Sequence, residues 1–156
     1  MFIHSPADER ILMKDYDPRM HSAEHILNQT MDRMFHRGRS FSAHVEKKKS
    51  KCDYHFDRML TDEEVKEVER RVNEVIRGNL PVREEFMLRS EAADRFVLDR
   101  LPDDAGEKIR IITVGDYDAC PCIGRHVSST GDIGAFSIIS TDFHDGVLRI
   151  RFKVTD

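Results

Sequence analysis

Two helical stripes of hydrophobic residues, separated by short alternating runs, organise this chain. Apolar side chains recur at Met20, Ala23, Leu27, Met31 and Met34, directly after Asp17 and Pro18, a capping residue followed by proline at the first helical position. The spacing predicts a helix over residues 18–35, with Gly38 closing the turn behind it. A second stripe, Val65, Val68, Val72, Val75 and Ile76, follows a capping box made by Thr61 and Glu64 and stops at Gly78. Between the helices, residues 41–45 and 52–56 read as strands joined by a polar, lysine-rich run. The later strand alternates, with Cys52, Tyr54 and Phe56 on one face and Asp53, His55 and Asp57 on the other.

Beyond Gly78 the pattern predicts strands at 82–88 and 108–114, flanking a short helix at 90–98 and a loop at 101–107. The chain closes on a hairpin, 135–141 against 147–154, turning at Asp145 and Gly146. In its last strand Leu148, Ile150, Phe152 and Val154 alternate with Arg149, Arg151 and Lys153, which read as a solvent-facing row. Helices and strands are thus interspersed. That order predicts an α+β fold, a largely antiparallel sheet packed with two main helices as a two-layer sandwich. No repeat, low-complexity stretch or linker interrupts it, so residues 1–156 are expected to form one domain.

Composition narrows the class of protein. Of 156 residues, 39% are hydrophobic and 35% charged, the signature of a folded chain and not of a disordered tail. The apolar runs are far short of the ~20 residues needed to cross a bilayer. Residues 1–10 lack the basic-then-apolar pattern of a signal peptide, so no membrane partner and a cytoplasmic location are expected. Three cysteines at irregular spacing suggest no disulfide framework. A net charge of −4 argues against general attraction to DNA, so any nucleic-acid contact must come from a local patch. Arg37, Arg39, Lys47, Lys48, Lys49 and Lys51 form the one dense basic stretch; it reads either as a phosphate-binding surface or as a solvated hairpin tip.

The chemistry concentrates at two short stretches. His21 and His25 are four residues apart on the first predicted helix, so both imidazoles project from one face and can meet one ion. Cys122 and His126 stand four apart in a glycine-containing turn. Three imidazole nitrogens and a thiolate form a borderline-to-soft set that suits tetrahedral Zn²⁺ and suits Mg²⁺ or Ca²⁺ poorly, which predicts one zinc per chain. Cys120 is an alternative to Cys122, while Cys52 reads as core. The run from His21 to His25 also fits the H-x-x-E-H pattern of a protease family, with Glu24 as its general base. A closed zinc site that only ties the chain together is a third reading.

Several stretches carry a family resemblance. They are His-Ser-Ala-Glu-His-Ile-Leu at 21–27, Val-Asn-Glu-Val-Ile-Arg-Gly-Asn-Leu-Pro-Val at 72–82, and the run from Ile111 to Val127 containing Cys-Ile-Gly-Arg-His. Ser-Ser-Thr-Gly-Asp-Ile-Gly at 128–134 and Gly-Val-Leu-Arg-Ile at 146–150 complete the pattern. From Met20 to Val154 the sequence resembles the editing domains of alanyl- and threonyl-tRNA synthetases and, most of all, the short free-standing AlaX proteins. Alanine-specific members carry two glycines and a threonine between the cysteine and the last histidine, where this chain has Ile123, Gly124 and Arg125. That departure leaves the amino-acid preference open.

The resemblance implies an AlaX-like editing fold and a deacylase acting in trans on mischarged aminoacyl-tRNA, with Ser-tRNA(Ala) as first substrate and Ser-tRNA(Thr) as runner-up. It favours His21, His25, Cys122 and His126 as the zinc ligands and catalytic centre, either with one position open to water or with the ion orienting the substrate. Ser40 or Ser42 is placed toward the amino acid. Gly131 and Gly134 either present backbone N–H groups to an oxyanion or merely shape a loop. The basic stretch from Arg37 to Lys51 becomes a tRNA-binding candidate.

Overall fold

A computed structural model of the protein describes residues 17–98, 101 and 106–156. The stretch read as lacking a signal peptide and most of the 101–107 loop lie outside the described residues. Helix α1 spans Pro18–Phe35, its N-terminus capped by Asp17 Oδ1, which accepts from Arg19 N and Met20 N at 3.0 and 3.1 Å. It ends on His36, held in the left-handed region at φ 58°, one residue pair before the predicted stop. Gly38 (φ 80°) still serves that end, donating its N–H to Asp32 Oδ1 at 2.9 Å.

Strands β1 (Ser42–His44) and β2 (Ser50–His55) follow, then helix α2 (Asp62–Arg77), which begins on the reciprocal cap between Thr61 and Glu64 that the sequence predicts. Next come β3 (Val82–Leu88), the short helix α3 (Arg89–Arg95), β4 (Lys108–Val114), β5 (Asp118–Pro121), a single 3₁₀ turn at Thr130–Asp132, and the hairpin β6 (Ala135–His144) and β7 (Val147–Thr155). The fold class is the predicted α+β, with every strand pair antiparallel.

The strands divide between two sheets, a split that the pattern does not reveal: β1-β2-β7-β6 and β3-β4-β5. Strand β5, absent from the expectation, carries Asp118, Ala119, Cys120 and Pro121. It has no apolar alternation, and proline is accommodated because β5 is an edge strand. One face of the four-stranded sheet presents Cys52, Tyr54, Leu148, Ile150 and Phe152 to the core, where they meet the α1 stripe and Val68, Val72 and Ile76 of α2. The predicted alternation of β2 breaks only at Asp53, which is buried because Arg149 holds both of its oxygens at 2.7 and 2.9 Å. Arg149 is therefore paired across the sheet and not simply solvated.

Helix α1 is buried on more than its apolar stripe. Met20, Ala23, Ile26 and Leu27 enter the main core, while β5 packs on the helix as well. His21, Ser22, Glu24, His25 and Asn28 are also buried. A polar face taken out of water must find partners within the protein. Those partners define the site.

Candidate metal centre

The α1 half of the site follows from helical geometry. His21 and His25, 4% and 2% exposed, lie one turn apart with ring centroids separated by 4.9 Å. His21 Nδ1 lies 3.1 Å from the carbonyl oxygen of Arg125. A carbonyl only accepts, so the proton sits on Nδ1 and the lone pair on Nε2. His25 Nδ1 faces Asp118 Oδ2 at 3.6 Å.

The second half comes from the loop after β5. Arg110, on β4, donates from Nη1 to the carbonyl oxygens of Gly124 and Cys122 at 2.8 and 3.2 Å, fixing a segment with no regular structure of its own. Ser22 attaches that loop to α1: its Oγ accepts from Val127 N at 3.1 Å and lies 3.0 Å from His126 Nδ1. A hydroxyl has two acceptor lone pairs, so it can serve both groups and leave His126 Nε2 unprotonated. That Nε2 stands 3.1 Å from Cys122 Sγ.

One ligand atom from each of His21, His25, Cys122 and His126 lies within 4.8 Å of the others. The His126 ring stacks on His21 at 4.1 Å and meets His25 edge-on at 4.5 Å. Two of the imidazoles have Nδ1 at hydrogen-bond distance from an oxygen, the way proteins orient histidines for a metal through their other ring nitrogen, while His25 Nδ1 stands 3.6 Å from the Asp118 carboxylate with no hydrogen bond of its own among the described residues. The donors present therefore fit zinc.

Charge is distributed unevenly among the rings. Burial, reinforced by the His25 charge, lowers the His21 pKa to about 3, against a smaller upward pull from Glu24. Burial and the same neighbour push His126 far down. Burial pulls His25 down too, but Cys122 and Asp118 outweigh it and hold its pKa well above the ordinary value. Asp118 gains from burial but is driven below the usual carboxylate range by His25 and Arg39. Two of the three imidazoles are thus neutral, the form that binds metal.

Residues 109–151 match the family of the threonyl and alanyl tRNA synthetase second additional domain. Over 139 residues the chain is 33% identical to an alanine-tRNA ligase of Methanopyrus kandleri, covering 86% of this chain and 15% of that one. The chain belongs to this editing-domain family. Alanine-tRNA ligases of Halorubrum lacusprofundi (44% over 101 residues, 63% of this chain and 11% of the relative) and Neisseria meningitidis (34% over 147 residues, 89% and 16%) are similar. The chain thus spans between 11% and 16% of the length of these relatives.

The remaining candidate residues of this second additional domain fall in different settings. Ser40 is buried, and its N–H donates to Asn28 Oδ1 at 3.0 Å, one side chain away from Glu24. Ser42 is half-buried on β1, opposite Asp53. Gly131 donates to Asn79 Oδ1, and a Cβ there would sit 2.4 Å from that oxygen. At Gly134 (φ 96°) a Cβ would lie 2.2 Å from the Thr155 carbonyl oxygen. Close packing thus accounts for both glycines.

The basic stretch is not one surface. Arg39 turns inward and forks onto Asp118 at 2.7 and 3.2 Å, so it buttresses the carboxylate behind His25. Arg37 is exposed and pairs with Asp57 at 2.8 Å. Lys47, Lys48 and Lys49 are exposed on the turn between β1 and β2, and Lys49, Lys51 and Arg151 border a shallow concavity of about 290 Å³. Asp118, Ser22 and Arg110 carry no metal-site spacing in the sequence. Only Asp118, an acid just before a Cys-Pro-Cys run, offers even a local signal.

Proposed function

We propose that this chain is a cytoplasmic, zinc-dependent trans-editing deacylase that hydrolyses the ester of mischarged aminoacyl-tRNA, Ser-tRNA(Ala) first among them. The observation that carries the reading is the convergence of His21, His25, Cys122 and His126, with His21 and His126 each oriented through Nδ1, in a domain related to alanine-tRNA ligases. Zinc bound there would supply acidity to a water and polarise the ester carbonyl. These four residues would hold it.

The chain's own groups support the rest of the reaction. Asp118, held by Arg39, places a carboxylate 3.6 Å from His25, and Arg110 fixes the loop that carries Cys122. Cys122, together with Phe86, Ile109 and Ile123, also borders a cavity of about 130 Å³, which makes that side of the loop a candidate approach for the substrate. Of the two serines, Ser40 is linked by its backbone N–H through Asn28 to the buried acid next to His21, which supports it over Ser42 as the residue that would read a hydroxyl on the amino acid. Phosphates of the acceptor stem would lie over Lys47, Lys48, Lys49 and Lys51.

Serine on tRNA(Ala) is an apt target because a synthetic site that must admit alanine rejects a near-isostere poorly by binding energy alone, and a hydrolytic site corrects the error. The test is deacylation of Ser-tRNA(Ala), Gly-tRNA(Ala), Ser-tRNA(Thr) and the cognate species, with and without a chelator. Chelator-sensitive loss of serine from tRNA(Ala), faster than loss of alanine, is expected. If no species is hydrolysed faster than in buffer, the reading fails and a zinc-tethered tRNA-binding module replaces it. A protease is disfavoured because the relatives are alanine-tRNA ligases. Reversing the charges of Lys47, Lys48 and Lys49 together should weaken tRNA binding and flatten its salt dependence; unchanged affinity and slope would return that turn to a solvated tip.

A further inference from the structure

Glu24 is the buried group at the site that the reading above leaves without a task. It is 5% exposed and lies on α1 between the two histidines. One of its oxygens is held tightly: Asn28 Nδ2 donates to Oε2 at 2.7 Å. Asn28 is itself fixed, because its Oδ1 accepts from Tyr54 Oη at 2.8 Å and from Ser40 N at 3.0 Å, so its amide nitrogen must face the carboxylate. This chain of hydrogen bonds directs Glu24 Oε1 to within 3.7 Å of His21 Nε2.

Orienting His21 is not what this arrangement achieves, since that ring is already set by the Arg125 carbonyl on its other nitrogen. Nor does Glu24 belong to the donor cluster, which comprises the three histidines and Cys122. It stands just outside that cluster, its Oε1 3.7 Å from the ring nitrogen that His21 would offer to a metal. A dication held by three neutral imidazoles and one thiolate keeps a net positive charge and would repel a cation brought alongside it. A carboxylate at this position offsets that repulsion.

An aminoacyl ester brings such a cation. Its α-ammonium group is attached to the carbon next to the ester carbonyl, so a carbonyl placed at the donor cluster carries the ammonium to within reach of its rim. We infer that Glu24 binds the α-ammonium group of the aminoacyl ester and makes the site selective for esters whose amino group is free. The inference rests on the deacylase reading and adds a recognition element to it. Asn28, Ser40 and Tyr54 act as positioning residues that keep the carboxylate aimed.

The probe is a non-hydrolysable analogue, 3′-seryl-amino-3′-deoxyadenosine, compared by calorimetry with its N-acetyl derivative on the zinc-loaded protein. Wild type is expected to bind the free amine at least about tenfold more tightly, in line with a charge-assisted hydrogen bond. Glu24→Gln keeps the acceptor for Asn28 but removes the charge, so the preference should shrink to within about threefold while zinc content and Tm stay at wild-type values. Glu24→Asp retains the charge and should keep a reduced preference, which guards against misreading a folding defect. A preference that survives in Glu24→Gln, or zinc lost from that variant at normal Tm, overturns the inference. So does failure of wild type to bind the free amine better. Deacylation of the tRNA panel by wild type is measured in parallel: active wild type with no amine preference sinks only this inference, whereas inactivity on every species sinks the deacylase reading first.

Discussion

The two halves of the donor cluster have the same spacing for different physical reasons. His21 and His25 are four apart because four residues make about one helical turn, and α1 is held by its own buried stripe. Cys122 and His126 are also four apart, yet no helix joins them; the segment is shaped by Arg110 below and by Ser22 across on α1. One pair is positioned by core packing, the other by hydrogen bonds. Damage to the first should therefore register as lost stability, and damage to the second as lost metal affinity.

The largest effect is expected at the residue serving the helix half. Asp118→Asn leaves Arg39, a half-buried cation, without its carboxylate and removes the acid behind His25. Breaking one partner of a fully buried ion pair costs about 3–5 kcal/mol, and because Arg39 still reaches solvent, chemical unfolding should show a loss near the lower end of that range. A loss below about 1 kcal/mol would mean that the Arg39–Asp118 pair is not structural. Arg110→Ala attacks the other half. Its Nε pairs with the exposed Glu84 and only its Nη1 holds the loop, so its removal should lower zinc affinity by about 10–100-fold in a competition titration while unfolding changes little. Unchanged affinity would show that the loop holds its shape without the guanidinium.

How much of this was legible in the sequence follows the same division. The helix half was: the α1 cap, its stripe and the two histidines are local and periodic, and the structure places them as expected. The hairpin β6–β7 was equally plain, since Asp145 and Gly146 adopt the positive φ values that its turn requires. Strand β5 was not, because an edge strand of Asp, Ala, Cys and Pro has neither alternation nor β-branching. The second sheet stayed hidden for that reason. Arg39 was misplaced in the basic surface because charge runs do not tell which member turns inward; only the buried Asp118, far away in sequence, decides it. Ser22 was invisible too, as its role exists only once 122–127 folds against α1.

A smaller effect isolates a helix remote from the donor cluster. Glu64 is held at about 2, below its ordinary 4.5, chiefly by Arg58 and by the Thr61 N–H. Because its folded-state pKa is depressed, its contribution is complete above about 4.5 and disappears as pH falls through about 2. Glu64→Gln can keep the reciprocal cap but loses the charge, so the stability gap to wild type should be below about 1 kcal/mol at neutral pH and close across that acid window. Zinc affinity should not move. A pH-independent gap would place the effect in the cap geometry and not in the charge.

The most direct measurement is X-ray absorption at the zinc edge of the purified, zinc-loaded protein. One sulfur at about 2.3 Å is expected, with the remaining protein donors being imidazole nitrogens at about 2.0–2.1 Å, and the sulfur shell should be lost in Cys122→Ser. Two sulfur scatterers, or a spectrum that Cys122→Ser leaves unchanged, would contradict the ligand set on which the proposed chemistry stands.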